Sequence, residues 1–437
     1  MLRIQLSVLA CTTLLLPLAA RGDEWPQWLG PRHDSVWRET GVVLGFSAQG
    51  PKVKFRTPVG LGYSGPAVAG GRVFVTDYVK SSGQIANNPG GRNKLTGKER
   101  TVCIDARNGD VLWKYEYDRP YALSYAAGPR CTPVVDGDRV YVLGAEGDLY
   151  CLAVKDGSEV WRRSLTKDYK TTTQIWGFAA HPLVHGDLLY CVVGGAGSVA
   201  VAFDKRTGRE VWKALSASEA GYCPPTLVDN GGSEELLIWH PEALNGLDPA
   251  SGKVRWSRKL QPNYKMAITA PRKSGDYLFA SGIGSIGALY KYEKGEPEVV
   301  WRGKSKTAVY SANTTPFIEN GVIYGCDCHS GALTAVSMED GERLWQTFKP
   351  TTGNRRGSHG TAYIVKNQDR FVLFAETGDL IFAEFSASGY NEVSRAHIVD
   401  PTNECFGRPV VWSHPAFAYR CAFVRNDKEL VCVDLAE

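Results

Sequence analysis

One phrase recurs through the chain and fixes what it can become. Cys103-Ile-Asp105-Ala-Arg-Asn-Gly109-Asp-Val-Leu-Trp113 reads as a short apolar strand, a tight turn at Gly109 and a second strand ending in Trp113. The phrase returns at Cys151 to Trp161, Ala202 to Trp212, Gly246 to Trp256 and Ala335 to Trp345, each time with its Trp four residues after a Gly. Leu289 to Trp301 is looser, with six residues from Gly295 to its Trp, and Phe382 to Val393 keeps Gly389 but puts Val393 where the Trp is expected. The tryptophans at 113, 161, 212, 256, 301 and 345 stand 48, 51, 44, 45 and 44 residues apart. A period in the mid-forties built of short strands predicts a propeller or another repeat array. Such an array closes on itself, so the 437 residues count as one domain rather than two or three.

Each unit opens on an x-Pro pair: Gly65-Pro66, Thr132-Pro133, His181-Pro182, Pro224-Pro225, Ala270-Pro271, Thr315-Pro316 and His414-Pro415, with Gly360-Thr361 as an eighth opening that lacks the Pro. Thr132 to Trp161 holds four short strands with turns at Gly137, Glu146-Gly147 and Gly157, and four antiparallel strands are one propeller blade. The last unit, His414 to Glu437, stops before its Gly…Trp strand, while the alternating stretch 52–59 has no partner before it. Segment 52–59 is therefore expected to complete the blade formed by 407–437, with Phe55 in the place of a Trp, which removes the exposed edges. The expected fold is all-β: an eight-bladed propeller of four-stranded antiparallel blades over 52–437, preceded by a Pro- and Trp-rich irregular arm at 23–51. Two stretches break the period. Val79 to Glu99, polar and Gly-rich, is expected to be a mobile surface loop, and Asp400 to Pro409 a second loop.

Residues 1 to about 22 read as a secretory signal peptide: Arg3 is positive, Ile4 to Ala20 is apolar, and Leu18-Ala-Ala-Arg-Gly22 offers small residues for cleavage. Seventeen residues interrupted by Thr and Pro17 are marginal for spanning a bilayer, and Cys11 stands too early for a lipoprotein. The expected location is exported, periplasmic or secreted, with no transmembrane segment in the mature chain. A net charge of +4 without a basic block argues against nucleic acid as a partner. Export permits disulfides, but spacing does not fix their connectivity. Cys103, Cys151 and Cys432 share one repeat position inside apolar strands and read as core filler.

Register supplies the candidate site. The first strand of each blade lines a propeller's channel, so the residues at the x-Pro openings converge on one mouth. They include Ser64, Arg130, Cys131, His181, Cys223, Thr269, Thr314, Thr315, His359 and His414, with Tyr63, Trp176, Tyr222, Lys265, Asn313, Arg356, Arg408 and Trp412 just upstream. The predicted ligand-binding set is Tyr63, Arg130, Trp176, His181, Tyr222, Lys265, Asn313, Arg356, His359, Arg408 and His414. A concave mouth with aromatics and convergent polar groups is a default binding site, and its positive bias favours an anion, a sugar acid or a carboxylate. The competing reading is that these side chains satisfy strand ends or plug the channel. His359 and His414, on adjacent blades, are expected to stand close, with His181 nearly across the ring from His359. No catalytic residue is assigned, because no Gly-x-Ser-x-Gly elbow, His-Glu-x-x-His pair or P-loop occurs. Cys326, Asp327, Cys328 and His329 are competent metal ligands, but strand alternation turns Asp327 away from the thiols, so buried thiols beside an exposed Asp327 are expected and no metal site is assigned.

The Asp-x-x-x-Gly-x-x-x-Trp phrase, its eight copies and the joined ends resemble the quinoprotein-type propeller superfamily. Trp25-Pro-Gln-Trp28 with Gly30-Pro31, Tyr63-Ser-Gly-Pro66 and Trp412-Ser-His-Pro-Ala-Phe417 narrow the resemblance to secreted bacterial PQQ-binding-like, BamB-like propeller repeat proteins. It implies that the repeat Trp stacks between neighbouring blades. It also implies two functional branches. One is a dehydrogenase of alcohols or sugars holding pyrroloquinoline quinone (PQQ) and Ca²⁺ at the ring axis; the other is a BamB-type outer-membrane protein assembly scaffold without a cofactor. The first branch wants basic residues, an aromatic floor and a metal held by carboxylate and amide oxygens. Asn313 and Asp327 are the only such pair that register places near the axis, and the chain has neither adjacent cysteines nor a Cys-x-x-Cys-His haem site. The second branch is lipid-anchored, and no lipobox is present. The expectation is therefore a non-catalytic binding or scaffold module without a cofactor. It would engage an unknown small molecule or an envelope or extracellular protein through the channel mouth or a ring face. PQQ-dependent dehydrogenase and BamB-like scaffold stand as alternatives.

Overall fold

The structure, a computed structural model, describes residues 23–293 and 295–437; the signal-peptide reading falls outside them. Eight sheets make the blades, each with four antiparallel strands that follow one another in the chain in all but the last. The innermost strand of blade 1, Ala67–Ala69, touches those of blade 2, Val134–Asp136, and blade 8, Ala416–Ala418, so the ring is closed. Strand Val53–Pro58 pairs antiparallel with Glu429–Asp434 and supplies the fourth strand of blade 8. Arg425, fully buried, ties that blade to blade 1 by donating to the carbonyls of Thr76 (2.8 Å) and Gly60 (2.5 Å). Among the described residues no helix is long and apolar enough to cross a membrane.

The repeated phrase locks neighbouring blades. A Cβ added to Gly157, Gly208 or Gly252 would lie 2.5, 2.7 or 2.4 Å from Trp113, Trp161 or Trp212 of the preceding blade. The ring thus rests on bare backbone, and each turn also needs a positive φ (+74°, +70° and +71°), so glycine is required twice over. The indole N–H donates to the carbonyl three residues before the glycine: Trp113 to Val154 (3.0 Å), Trp161 to Lys205 (3.1 Å), Trp212 to Pro249 (3.0 Å), Trp301 to Met338 (2.8 Å) and Trp345 to Ser386 (2.7 Å). Trp256 departs from the rule and donates to Glu235 of its own blade (2.9 Å), and a Cβ on Gly295 of blade 5 would meet nothing within 4 Å. Phe55 fills the Trp position of blade 8, with a Cβ on Gly109 falling 2.6 Å from its ring.

Several expectations are corrected. In blade 7 the Trp position is Ser394, not Val393: Phe382 pairs with Ser394, and the bulge skips Val393 just as it skips Leu112 in blade 1. The missing ring comes from the arm, where Phe46 packs 4.9 Å from Phe382 and its N–H donates to Ser394 Oγ (2.8 Å). Only 83–92 of the Val79 to Glu99 stretch is a surface loop; its flanks extend a long hairpin, Arg72–Ser82 with Asn93–Asp105, because Tyr78 and Leu95 bury themselves against Tyr121 and Leu123. The second loop contains a hairpin, Asn403–Cys405 with Arg408–Val410.

The arm does more than pack on the body. Trp25 exchanges two backbone hydrogen bonds with Val68 of blade 1, and Pro26 O accepts from Val135 N of blade 2. Arg272 of blade 5 donates to His33 O (2.7 Å) and Asp34 O (3.1 Å), and Val36–Trp37 pairs in parallel with Lys366 and Asn367 of blade 7. An element bonded to innermost strands of blades 1, 2, 5 and 7 lies across the axis and fills it.

Candidate functional site

The residues of the x-Pro openings separate into two groups. The first is enclosed beneath the arm. Trp28 stacks on His181 (4.8 Å, 8° between planes) and meets His414 edge-on (5.9 Å), while His181 and His414 stand 5.7 Å apart. Thr132 N–H donates to His181 Nδ1 (2.9 Å), which puts the proton of the neutral ring on Nε2. Burial, reinforced by His414 and His33, holds His181 well below the usual histidine range, and burial alone takes His414 down to about 3. Only a cavity of about 20 Å³ remains, room for about one water, lined by Trp28, Thr132, Thr314 and His414 among others. His414 thus finds its ring partner in His181 rather than in His359, and neither lies at an open mouth: the arm covers both.

The second group forms the mouth proper. Tyr63, Trp176 and Trp412 pack around Tyr125, Cys405 and Val410. The hairpin 403–410 crosses this surface. Its Phe406, half exposed, stacks on His359 (5.0 Å, 3°), and Asn403 Nδ2 donates to Tyr63 Oη (2.7 Å). Asn87, at the tip of the blade 1 hairpin, donates in turn to Glu404 O (2.5 Å). His359 Nδ1 faces Asn313 Oδ1 (3.3 Å), and burial, with Arg408 and His329 adding to it, lowers His359 to about 4. A histidine so far below neutrality makes a weak general base.

The predicted polar residues are mostly engaged within the protein. Arg408 grips buried Glu376 through Nε (2.7 Å) and Nη2 (3.2 Å), and Trp412 Nε1 and Thr361 N donate to the same carboxylate (3.2 and 3.0 Å). Arg130 lies over the Tyr63 ring (5.4 Å) and donates to the carbonyls of Ser124 (2.8 Å), Tyr125 (2.6 Å) and Gly128. Trp176 and Tyr222 meet edge-on at 5.6 Å. Asn313 Nδ2 donates to Thr361 Oγ1 (3.1 Å). Lys265 and Arg356 are exposed; Lys265 pairs with Glu219 (3.1 Å) and Arg356 donates to His329 O (3.2 Å). Glu376, Phe406 and Trp28 escaped the sequence reading. Trp28 stood out as part of the arm and of the motif that narrows the resemblance, not as a site residue, and Glu376 and Phe406 sit in turns outside the repeated phrase.

Comparison with known proteins gives the relationship. The family model described as outer membrane protein assembly factor BamB matches residues 97–282 and 240–437, well over half of the chain. The chain belongs to this family. Among curated relatives, BamB of Moranella endobia (strain PCIT) is 22% identical over 258 residues, covering 55% of this chain and 63% of the relative. Quinohemoprotein alcohol dehydrogenase ADH-IIG of Pseudomonas putida is 28% identical over 313 residues, covering 64% of this chain and 36% of the relative. The chain therefore spans less than two thirds of the length of either relative. The crystal structure of quinohemoprotein alcohol dehydrogenase from Comamonas testosteroni superposes with a TM-score of 0.64 at 11% identity, over 96% of this chain and 82% of that one, a likeness of fold.

Family membership leaves the cofactor question to the residues themselves. A PQQ with Ca²⁺ at the axis needs an open slot and free carboxylate and amide oxygens. In this BamB-family chain the arm closes the axis below the mouth. Asp327 is buried rather than exposed: it takes Arg343 (3.2 Å) and the backbone N–H groups of Tyr310, His329 and Ser330, which is why it turns inward. Cys326 exchanges hydrogen bonds with the backbone of Ala362. Among the described residues no three His, Cys, Asp or Glu side chains gather as a metal site. The residues present do not fit that group.

Proposed function

We propose that this protein is an exported, non-catalytic binding or scaffold module of the BamB family, working through the mouth face formed by the 403–410 hairpin and its aromatic surround. The observation that carries the reading is the engagement of the polar candidates. Arg408, Glu376, Asn313 and Arg130 bind one another or the backbone, and thereby hold a rigid surface from which Phe406 projects half exposed. A preformed face with an exposed aromatic anchor suits docking of an envelope or extracellular protein, or of a small molecule, better than it suits turnover. The relatives' names support a role in outer-membrane protein assembly as the nearest specific version. A PQQ-dependent alcohol or sugar dehydrogenase is the rival reading, favoured by the 28% identity to a quinohemoprotein enzyme. Reconstitution with PQQ and Ca²⁺ tests the choice: no thermal shift, no quinone absorbance and no dye reduction are expected, and a dye-reducing holoprotein would overturn the proposal.

A further inference from the structure

We propose that the cleft between blades 1 and 2, on the flank of the ring, is a second binding site, taking a polyhydroxylated oxyanion such as a sugar acid or sugar phosphate. Arg119 follows the outer strand Val111–Asp118 of blade 1. Asp148 and Tyr150 lie on strand Asp148–Ala153 of blade 2, Arg162 and Ser164 on Glu159–Ser164, and Lys167 on the single helical turn Leu165–Asp168. Register sets Asp148 opposite Ser164 and Tyr150 opposite Arg162, so these four side chains share one face of the blade. Tyr150 meets Tyr117 of blade 1 at 4.7 Å, so that face is the one turned toward blade 1. The cleft encloses about 420 Å³, the size of a small-molecule site.

Its charges do not balance. Arg163 Nε lies 2.8 Å from Asp168 Oδ2 and Arg119 Nε 2.9 Å from Asp148 Oδ2, ion pairs in which neither buried Nε is aligned for a hydrogen bond. Arg162 has only Glu159 at 3.8 Å, a carboxylate that already accepts from Tyr115 Oη (2.6 Å). Lys167 makes no ion pair or side-chain hydrogen bond among the described residues. Two cations are thus left facing the cleft. At its base the 2.9 Å contact is misaligned, so that buried Arg119 Nε and Asp148 Oδ2 each lack a formed hydrogen bond. Burial raises the Asp148 pKa against the opposing pull of Arg119. An inorganic anion would satisfy Arg162 and Lys167 but repel Asp148, and a neutral sugar would do the reverse. A ligand carrying hydroxyls and an oxyanion meets both demands, with a hydroxyl donating to Asp148 and the anionic group held by Arg162 and Lys167.

Calorimetric titration of the whole protein at low salt tests this with glucuronate, glucose 6-phosphate, glucose and sulfate as probes. Saturable binding is expected for glucuronate or glucose 6-phosphate, and the better of the two names the oxyanion. Glucose and sulfate are expected to bind at least about tenfold more weakly. The double variant Arg162→Ala/Lys167→Ala alters exposed side chains, so it should keep the melting temperature and weaken the acidic sugar by about tenfold or more. Absence of saturable binding by both acidic sugars, equal binding of sulfate, or affinity unchanged in the double variant would each overturn the site.

Discussion

The outer wall of the ring and its axis are built by opposite rules. On the wall one contact is repeated: an indole lies on a bare glycine and donates to a turn carbonyl, as Trp113 does to Val154 and Trp161 to Lys205. On the axis nothing repeats. Blade 3 brings His181, blade 8 brings His414, and the arm, which belongs to no blade, brings Trp28 between them. Repetition therefore encodes the frame, and whatever is particular to this chain lies where the copies differ.

Acid should break the axis before the wall, and this is the largest effect expected. His33 and His359 are lowered to about 4, His414 to about 3, and His181 well below the ordinary histidine value, chiefly by burial. A histidine lowered in the fold binds its proton in the unfolded chain first. Its contribution to stability is complete above the ordinary pKa of about 6.5 and is lost progressively as pH falls toward the folded value. Each such group costs up to about 1.4 kcal/mol per pH unit across that window. Urea midpoints should fall steeply between about pH 6.5 and 4, and a flat profile there would show that these rings are hydrated. Next in size is Trp28→Ala, expected to cost about 3–5 kcal/mol because it leaves a cavity on the axis. A loss below about 1 kcal/mol in the same unfolding assay would mean that the arm merely rests on the ring.

A pair of glycine variants carries the comparison to the wall. Gly252→Ala meets Trp212 at 2.4 Å in a turn with φ +71°, and should cost about 2–5 kcal/mol from strain and overpacking together. Gly137→Ala has φ +59° and nothing within 4 Å, so only the backbone term of about 1–2 kcal/mol remains. Equal losses in the two variants would remove the tryptophan seat as the reason for the glycine.

The frame was legible because its signals are local. A Gly four residues before a Trp specifies both the turn and a ring that reaches the matching turn of the next blade, and an orphan strand at 52–59 with an incomplete last unit specifies the closure. The register slip at Ser394 was hidden because a bulge is a backbone event that leaves no residue signature; only pairing reveals that Val393 is skipped. The mouth was half legible. Counting from the x-Pro openings found His181, His359 and His414, but counting along blades carries no information about the arm that covers two of them. Nor does it show that Arg408 is closed onto Glu376, since one lies on the strand Arg408–Val410 and the other on a turn of blade 7, and they meet only in three dimensions. Asp327 was misjudged for a related reason: alternation gives the face of a strand residue, yet at the strand's end the carboxylate turns back to take nearby N–H groups.

The smallest expected effect separates the two halves of the tryptophan contact. Trp113→Phe keeps an aromatic ring over Gly157 and removes the N–H that reaches Val154 O, so it should cost about 1 kcal/mol. Blade 8 already carries this arrangement: Phe55 covers Gly109 without an indole, and Thr57 Oγ1 donates to Gly109 O (2.7 Å) at the same turn. Stacking on a bare glycine thus recurs at Gly109, Gly157, Gly208, Gly252 and Gly341, while the hydrogen bond that accompanies it is supplied by whichever donor the blade offers. A loss above about 3 kcal/mol for Trp113→Phe, read from urea unfolding, would reverse that order and make the indole N–H the principal tie between blades 1 and 2.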